Sequence, residues 1–142
     1  MIVYFDTSAL LKLLLEEEEA DAAAALWLDA DAVATARLAY PEARAALAAA
    51  VRAGRLSRDG HEDTIRQLRR RWRQLNIVDL DQELAETAGD LAQHHALRGY
   101  DAVHLASALA GGRRVVLATW DARLARAARH AGLAVAPPTE PH

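Results

Sequence analysis

Cysteine is absent from the 142 residues, which excludes disulfides, thiolate-bound zinc and cysteine nucleophiles together. Lysine is almost absent too, since sixteen of the seventeen basic residues are arginine. Aromatic residues make up 5% of the chain, with a single phenylalanine, so aliphatic side chains must supply most of the core. Four prolines and seven glycines leave few breaks, and three of the prolines (Pro137, Pro138, Pro141) crowd the C-terminus. No apolar run approaches the ~18 residues of a membrane span. No basic region precedes the first apolar stretch, so a cytoplasmic domain with no membrane contact is expected. The formal net charge of −3 is too mild to draw nucleic acid by bulk electrostatics.

What is present is helix-forming. The chain holds 34 alanines and 21 leucines, residues of high helix propensity. Its length suits one domain with a real core. Charge is segregated: residues 1–50 sum to −6, 51–78 to +5, 79–101 to −5 and 102–142 to +3. Such a chain can show a basic face and an acidic pocket despite its small total.

Met1–Phe5 is β-branched and aromatic and ends at Asp6, the pattern of a buried strand. Ala32–Thr35, Asn76–Leu80, Arg114–Ala118 and Leu133–Ala136 are further strand candidates. Between them lie helix-forming runs at Ala9–Leu15, Ala20–Leu28, Arg37–Ala53, Ser57–Leu75, Asp81 to about Arg98, Asp101–Ala110 and Asp121–His130. Ile65, Leu68, Trp72 and Leu75 form one apolar stripe on the fourth of these, and Gly99 is expected to end the fifth. Strands alternating with helices predict a three-layer α/β/α domain over residues 1–136, built on a central parallel sheet of four to five short strands. Residues 137–142 form an irregular tail.

Ligands in such folds collect outside the carboxyl ends of the strands, and acids stand at those places here. Asp6 follows the first strand, and Asp121 follows the fourth after Thr119 and Trp120. Asp101 opens a helix, and Glu42 lies early in the helix after the second strand. Converging oxygen ligands suit a hard cation such as Mg²⁺ or Mn²⁺. Asp101 and Asp121 serve equally well as helix N-caps, and Glu42 alone reads as a solvated helix residue. Asp6 is the strongest, because a carboxylate ending a buried strand needs a partner.

These segments carry a resemblance. Ile2-Val3-Tyr4-Phe5-Asp6-Thr7-Ser8 resembles the opening of PIN-domain ribonucleases, and Leu38-Ala39-Tyr40-Pro41-Glu42-Ala43 resembles their acid-bearing helix. Tyr100-Asp101-Ala102-Val103-His104-Leu105-Ala106-Ser107-Ala108 and Leu117-Ala118-Thr119-Trp120-Asp121-Ala122-Arg123-Leu124 are similar to the third and fourth motifs. Order and approximate spacing fit over nearly the whole chain. The size and bare layout look like the VapC toxins of bacterial toxin–antitoxin pairs. The resemblance implies a PIN-like fold and a divalent-metal site lined by Asp6, Glu42, Asp101 and Asp121, with Ser8 and Thr119 as supporting polar groups. It also implies endoribonuclease activity on an RNA substrate, a homodimer, and a VapB-like antitoxin that holds the enzyme inactive.

The chemistry is coherent. Clustered carboxylates repel one another and raise their own pKa values until a cation relieves the conflict. That cation can activate water and stabilise charge on a phosphodiester. Glu42 is then a ligand or orients the attacking water. The competing class is a catalytically inactive PIN-like module that acts by binding partners.

Other motifs are missing. There is no phosphate-cradling G-x-x-x-x-G-K loop and no G-x-S-x-G nucleophile elbow, and Gly111–Gly112 follows a helix rather than a strand. An aspartyl-nucleophile phosphohydrolase wants a second acid two residues after the first, where this chain has Ser8. Arg66, Arg69, Arg70 and Arg73 share a helix face that could position RNA phosphates. That face reads equally as solvated, or as a docking surface for an acidic partner. His94, His95 and His104 read as packing or boundary residues, as do Trp27, Trp72 and Trp120. Leu10–Leu15 is more apolar than one buried stripe requires, so it is expected to cover the sheet on one side and meet another protomer on the other.

Overall fold

The computed structural model of the chain describes residues 1–138. The elements run β1 (Ile2–Phe5), α1 (Thr7–Leu14), α2 (Ala20–Asp29), β2 (Ala32–Ala36), α3 (Ala39–Arg52), α4 (Arg58–Trp72), β3 (Asn76–Val78), α5 (Gln82–His95), α6 (Gly99–Ala110), β4 (Val115–Ala118), α7 (Ala122–His130) and β5 (Ala134–Ala136). The strands form one sheet in the order β3-β2-β1-β4-β5, and every pairing is parallel. Among the described residues no helix is long and apolar enough to cross a membrane.

Alternation along β1 sorts its side chains to two cores. Val3 and Phe5 face one side of the sheet with Leu10, Trp27, Val33 and Leu75. Tyr4 faces the other with Leu105, Leu117 and Leu124. Both faces are thus covered, as an all-parallel sheet requires. The alanines allow close packing: Ala88 of α5 meets Ala102 and Ala106 of α6.

Local chemistry sets the helix starts. Asp6, Ser57, Asp81 and Asp121 each accept a backbone N–H at the head of the helix that follows, satisfying a donor with no partner inside the helix. Pro41 sits in the first turn of α3, where its missing N–H costs nothing. One expectation is corrected. Gly99 does not end α5 but begins α6. The chain leaves α5 at Ala96, which takes the left-handed conformation with φ 53° usual at helix ends. The leucines of α1 turn inward: Leu10 packs against Phe5 and Trp27, Leu13 joins that core, and Leu11 and Leu14 meet Ala43 and Leu68. The side of this run expected to cover the sheet does so, and Leu11, Leu13 and Leu15 stay partly exposed. Of the tail expected over 137–142, only Pro137 and Pro138 are described, and residues 139–142 lie outside the described residues.

Candidate active site

The chain passes from β1 to β2 on one side and later to β4 on the other, so strand order reverses between β1 and β4. That is the crevice where open parallel sheets bind ligands. Phe5 pairs with Ala118 at its carboxyl edge, which sets Asp6 and Thr119 next to each other.

Asp6 is 4% exposed and held from three directions. Its Oδ1 accepts from Ser8 Oγ at 2.7 Å and from the Ala9 N–H at 2.9 Å, and its Oδ2 accepts from Thr119 Oγ1 at 2.5 Å. Burial pushes its carboxyl above the ordinary value, against the pull of these hydrogen bonds and of His104. The two expected supporting hydroxyls are therefore direct partners of the buried acid. They also tie the rim together: Ser8 Oγ accepts the Trp120 N–H at 2.9 Å, and Thr119 Oγ1 accepts the Asp121 N–H at 3.0 Å. Trp120 packs against the core on the Phe5 side, and its indole N–H donates to Glu19.

Asp121 caps α7, its Oδ1 accepting the Leu124 N–H at 3.0 Å. Asp101, in the first turn of α6, accepts from Arg98 Nε at 3.3 Å through Oδ2. Its carboxyl is raised by burial and by the negative charge of Asp121, which places these two acids in one field.

Glu42 is positioned by a chain of contacts. Its Oε1 accepts from Thr7 Oγ1 at 2.8 Å and lies 2.9 Å from His104 Nε2. On the far side of the ring, Nδ1 lies 2.7 Å from Tyr4 Oη. Burial raises the Tyr4 phenol far above its ordinary value, so it stays a neutral donor. A phenol donating to Nδ1 leaves Nε2 to carry the proton toward Glu42. Burial alone would raise the Glu42 carboxyl, but the bonds from His104 and Thr7 outweigh it and hold the group below its usual range. Sequence reasoning favours packing for His104 over a hydrogen bond near the rim. It is indeed buried at 2%, yet it joins the strand to the acid. The available signal is its place one turn after Asp101 on the α6 face that meets the sheet.

Both oxygens of Asp6 are engaged, whereas Glu42, Asp101 and Asp121 each use one. Among the described residues, Oε2 of Glu42, Oδ1 of Asp101 and Oδ2 of Asp121 accept no hydrogen bond. Among the same residues no three His, Asp or Glu side chains are gathered closely enough to hold one ion. The four acids thus share a rim without forming a closed cage. In kind they fit a hard divalent cation. All are oxygen donors, and two are raised, Asp6 by burial and Asp101 by burial and the charge of Asp121. Arg98 and His104 supply the local counter-groups in this arrangement.

Arg66, Arg69, Arg70 and Arg73, expected on one face, separate. Arg69 and Arg73 line a cleft with Arg37, Leu38, Tyr40, Pro41 and Trp72. Arg66 pairs with Asp63 at 3.6 Å on the open side of α4, and Arg70 is exposed outside the cleft. Arg71, between them, turns over the Trp27 ring at 4.9 Å.

The PIN domain family matches residues 3–130. Ribonuclease VapC45 of Mycobacterium tuberculosis is 50% identical over 137 residues, spanning 96% of this chain and 95% of the relative. Among solved structures, PAE2754 from Pyrobaculum aerophilum superposes with a TM-score of 0.71 at 22% identity, over 95% of this chain and 83% of that one. A toxin–antitoxin complex from Klebsiella pneumoniae gives 0.66 at 24% identity, over 97% and 98%. The parallel sheet with its acidic crevice between β1 and β4, together with these similarities, makes the chain a member of the PIN-domain family, in its VapC branch.

Proposed function

We propose that the chain is an endoribonuclease toxin that hydrolyses RNA phosphodiester bonds with the help of Mg²⁺ or Mn²⁺ and is neutralised by a VapB-like antitoxin. One observation carries this reading: four carboxylates from separate stretches of chain stand at one sheet rim, three with an oxygen left open. The likeness to a ribonuclease at 50% identity supports it, and the toxin–antitoxin complex with the same fold supports a protein partner.

Asp6, Asp101 and Asp121 would hold the cation, with Glu42 as a fourth ligand or as the group that orients the attacking water. When bound, the cation lowers the pKa of water and neutralises charge developing on the phosphate. The chain's own residues do the rest. Ser8, Thr119 and the Ala9 N–H fix the Asp6 carboxylate in one orientation. Thr7 and His104 fix Glu42 in its ionised form, so its open oxygen can accept a hydrogen bond from water.

The test is calorimetric titration of Mn²⁺ into the unmodified chain and into Asp6→Asn, beside an RNA hydrolysis assay. Binding and cleavage that both vanish in the variant bear the proposal out. A second reading, an inactive partner-binding module, draws on the lack of a closed three-ligand group among the described residues. No Mn²⁺ binding and no cleavage by either protein would favour it.

A further inference from the structure

We propose that the cleft between α3 and α4 seats one nucleotide of the RNA strand, its phosphate on Arg69 and Arg73 and its base against Leu38, Pro41, Tyr40 and Trp72. This rests on the ribonuclease reading and adds to it a binding site outside the acidic rim. The cleft encloses about 490 Å³, within the roughly 300–1,000 Å³ usual for small-ligand sites. Its walls are of two kinds. Leu38, Pro41, Tyr40 and Trp72 form an apolar and aromatic side, in which the Tyr40 and Trp72 rings meet edge to face with centroids 5.2 Å apart. The other side is cationic, and its three arginines differ in how far they are already used.

Arg37 is committed, because its Nε donates to Asp79 at 2.8 Å and its Nη2 reaches the other carboxylate oxygen at 3.3 Å. Arg69 and Arg73 form no ion pair with a carboxylate among the described residues. Arg73 donates only its Nε, to the Arg69 carbonyl at 3.3 Å, which leaves its terminal nitrogens for an anion. Arg69 lines the cleft beside Tyr40, and it and Arg44, which donates to the Tyr40 phenol at 3.0 Å, hold that phenol below the ordinary value. Guanidinium groups beside aromatic faces are the pairing that single-stranded nucleic acid uses, with phosphate on the cation and base on the ring.

Position ties the cleft to the reaction. Its Tyr40–Pro41 wall is the first turn of α3, and the next residue is Glu42. In this proposal a strand with one phosphodiester at the acidic rim lays a neighbouring nucleotide in the cleft, across the first turn of α3. Register between the two sites would decide which bond is cut.

The experiment measures binding of a fluorescein-labelled single-stranded oligoribonucleotide to the full chain in EDTA across a salt series, so that neither metal nor cleavage enters. Arg69→Glu/Arg73→Glu is compared with Arg113→Glu/Arg114→Glu, an equal charge change just before β4, at the amino end of the strands. The cleft pair is expected to weaken binding on the order of tenfold or more. It should also flatten the dependence of log K on log salt by about 0.7 for each phosphate no longer neutralised. The control pair should move neither by a comparable amount. Photocrosslinking of 5-iodouridine RNA should label Tyr40 or Trp72. Equal effects from both pairs, or none from the cleft pair, overturn the site while leaving the nuclease assignment to its own Mn²⁺ and cleavage tests. So does loss of antitoxin affinity with RNA affinity unchanged. Failure of the unmodified chain to bind RNA overturns this proposal, and cleavage by the same protein then decides the nuclease reading separately.

Discussion

Single residues divide between those that do chemistry and those that hold them. We place Asp6 in the first group despite its burial, because a buried carboxyl is costly and capping α1 uses only one of its oxygens. Asp6→Asn keeps the oxygen that caps α1 and should retain the fold by circular dichroism. RNA cleavage in the presence of Mn²⁺ should fall on the order of a hundredfold or more. His104 belongs to the second group, since it touches Glu42 and Tyr4 but lies beneath the rim. His104→Ala leaves the Tyr4 hydroxyl buried without its acceptor, a loss of about 1–3 kcal/mol. Tyr4→Phe removes the hydroxyl as well, so the double variant should be less destabilised than the two single losses summed. Urea unfolding of all four proteins reads that coupling.

The helices carry the same cap at two places with different surroundings. Asp81 and Asp121 make the same contact, each accepting a backbone N–H three residues on. Substituting either by Ala should cost about 1 kcal/mol of stability through removal of the cap. Only Asp121 stands at the acidic rim, so Asp121→Ala should also abolish cleavage while Asp81→Ala leaves it near the unmodified level. Unfolding curves and cleavage rates for this matched pair separate the capping role from the chemical one. The comparison resolves an ambiguity that local sequence leaves open, because an aspartate before a helix looks the same in both cases.

For the molecule as a whole, charge at the rim links stability to pH and metal. Asp6 and Asp101 have raised carboxyls in the folded chain, so there they hold protons that the unfolded chain has released above about pH 3.9. Their contribution to stability therefore declines as pH rises from that value through their raised folded values. Glu42 has the opposite sign. Its lowered carboxyl contributes stability above its ordinary value near 4.3, and this is lost as pH falls through the lowered folded value. In EDTA, Asp6→Asn should gain on the unmodified chain as pH climbs through the Asp6 window. Adding Mn²⁺ should raise the melting temperature of the unmodified chain and not of the variant. Thermal melts across pH, with and without Mn²⁺, test both statements.

The amino-acid order by itself determined the alternation of strands and helices and the seating of acids at the strand ends. Both follow from local rules: β-branched runs, periodicity along a helix, and side chains that cap the next turn. Once β1 and β4 are parallel neighbours, Asp6, Thr119 and Asp121 must fall on one edge. The end of α5 escapes these rules because Ala96, not a glycine, takes the left-handed turn, and nothing local marks an alanine for that. Tertiary structure alone decided the contacts between distant positions. Tyr4 meets His104 across 100 residues and His104 meets Glu42 across 62, since α6 packs on the face of β1 that carries Tyr4. Folding also split the four arginines read as one face, placing Arg69 and Arg73 on the cleft that Tyr40 lines and leaving Arg66 and Arg70 outside it. It likewise buried Leu10 and Leu14 of α1 among α3, α4 and the sheet, with Leu11 and Leu13 partly covered. A helix period says which residues share a face, whereas the packing of the elements decides what that face meets.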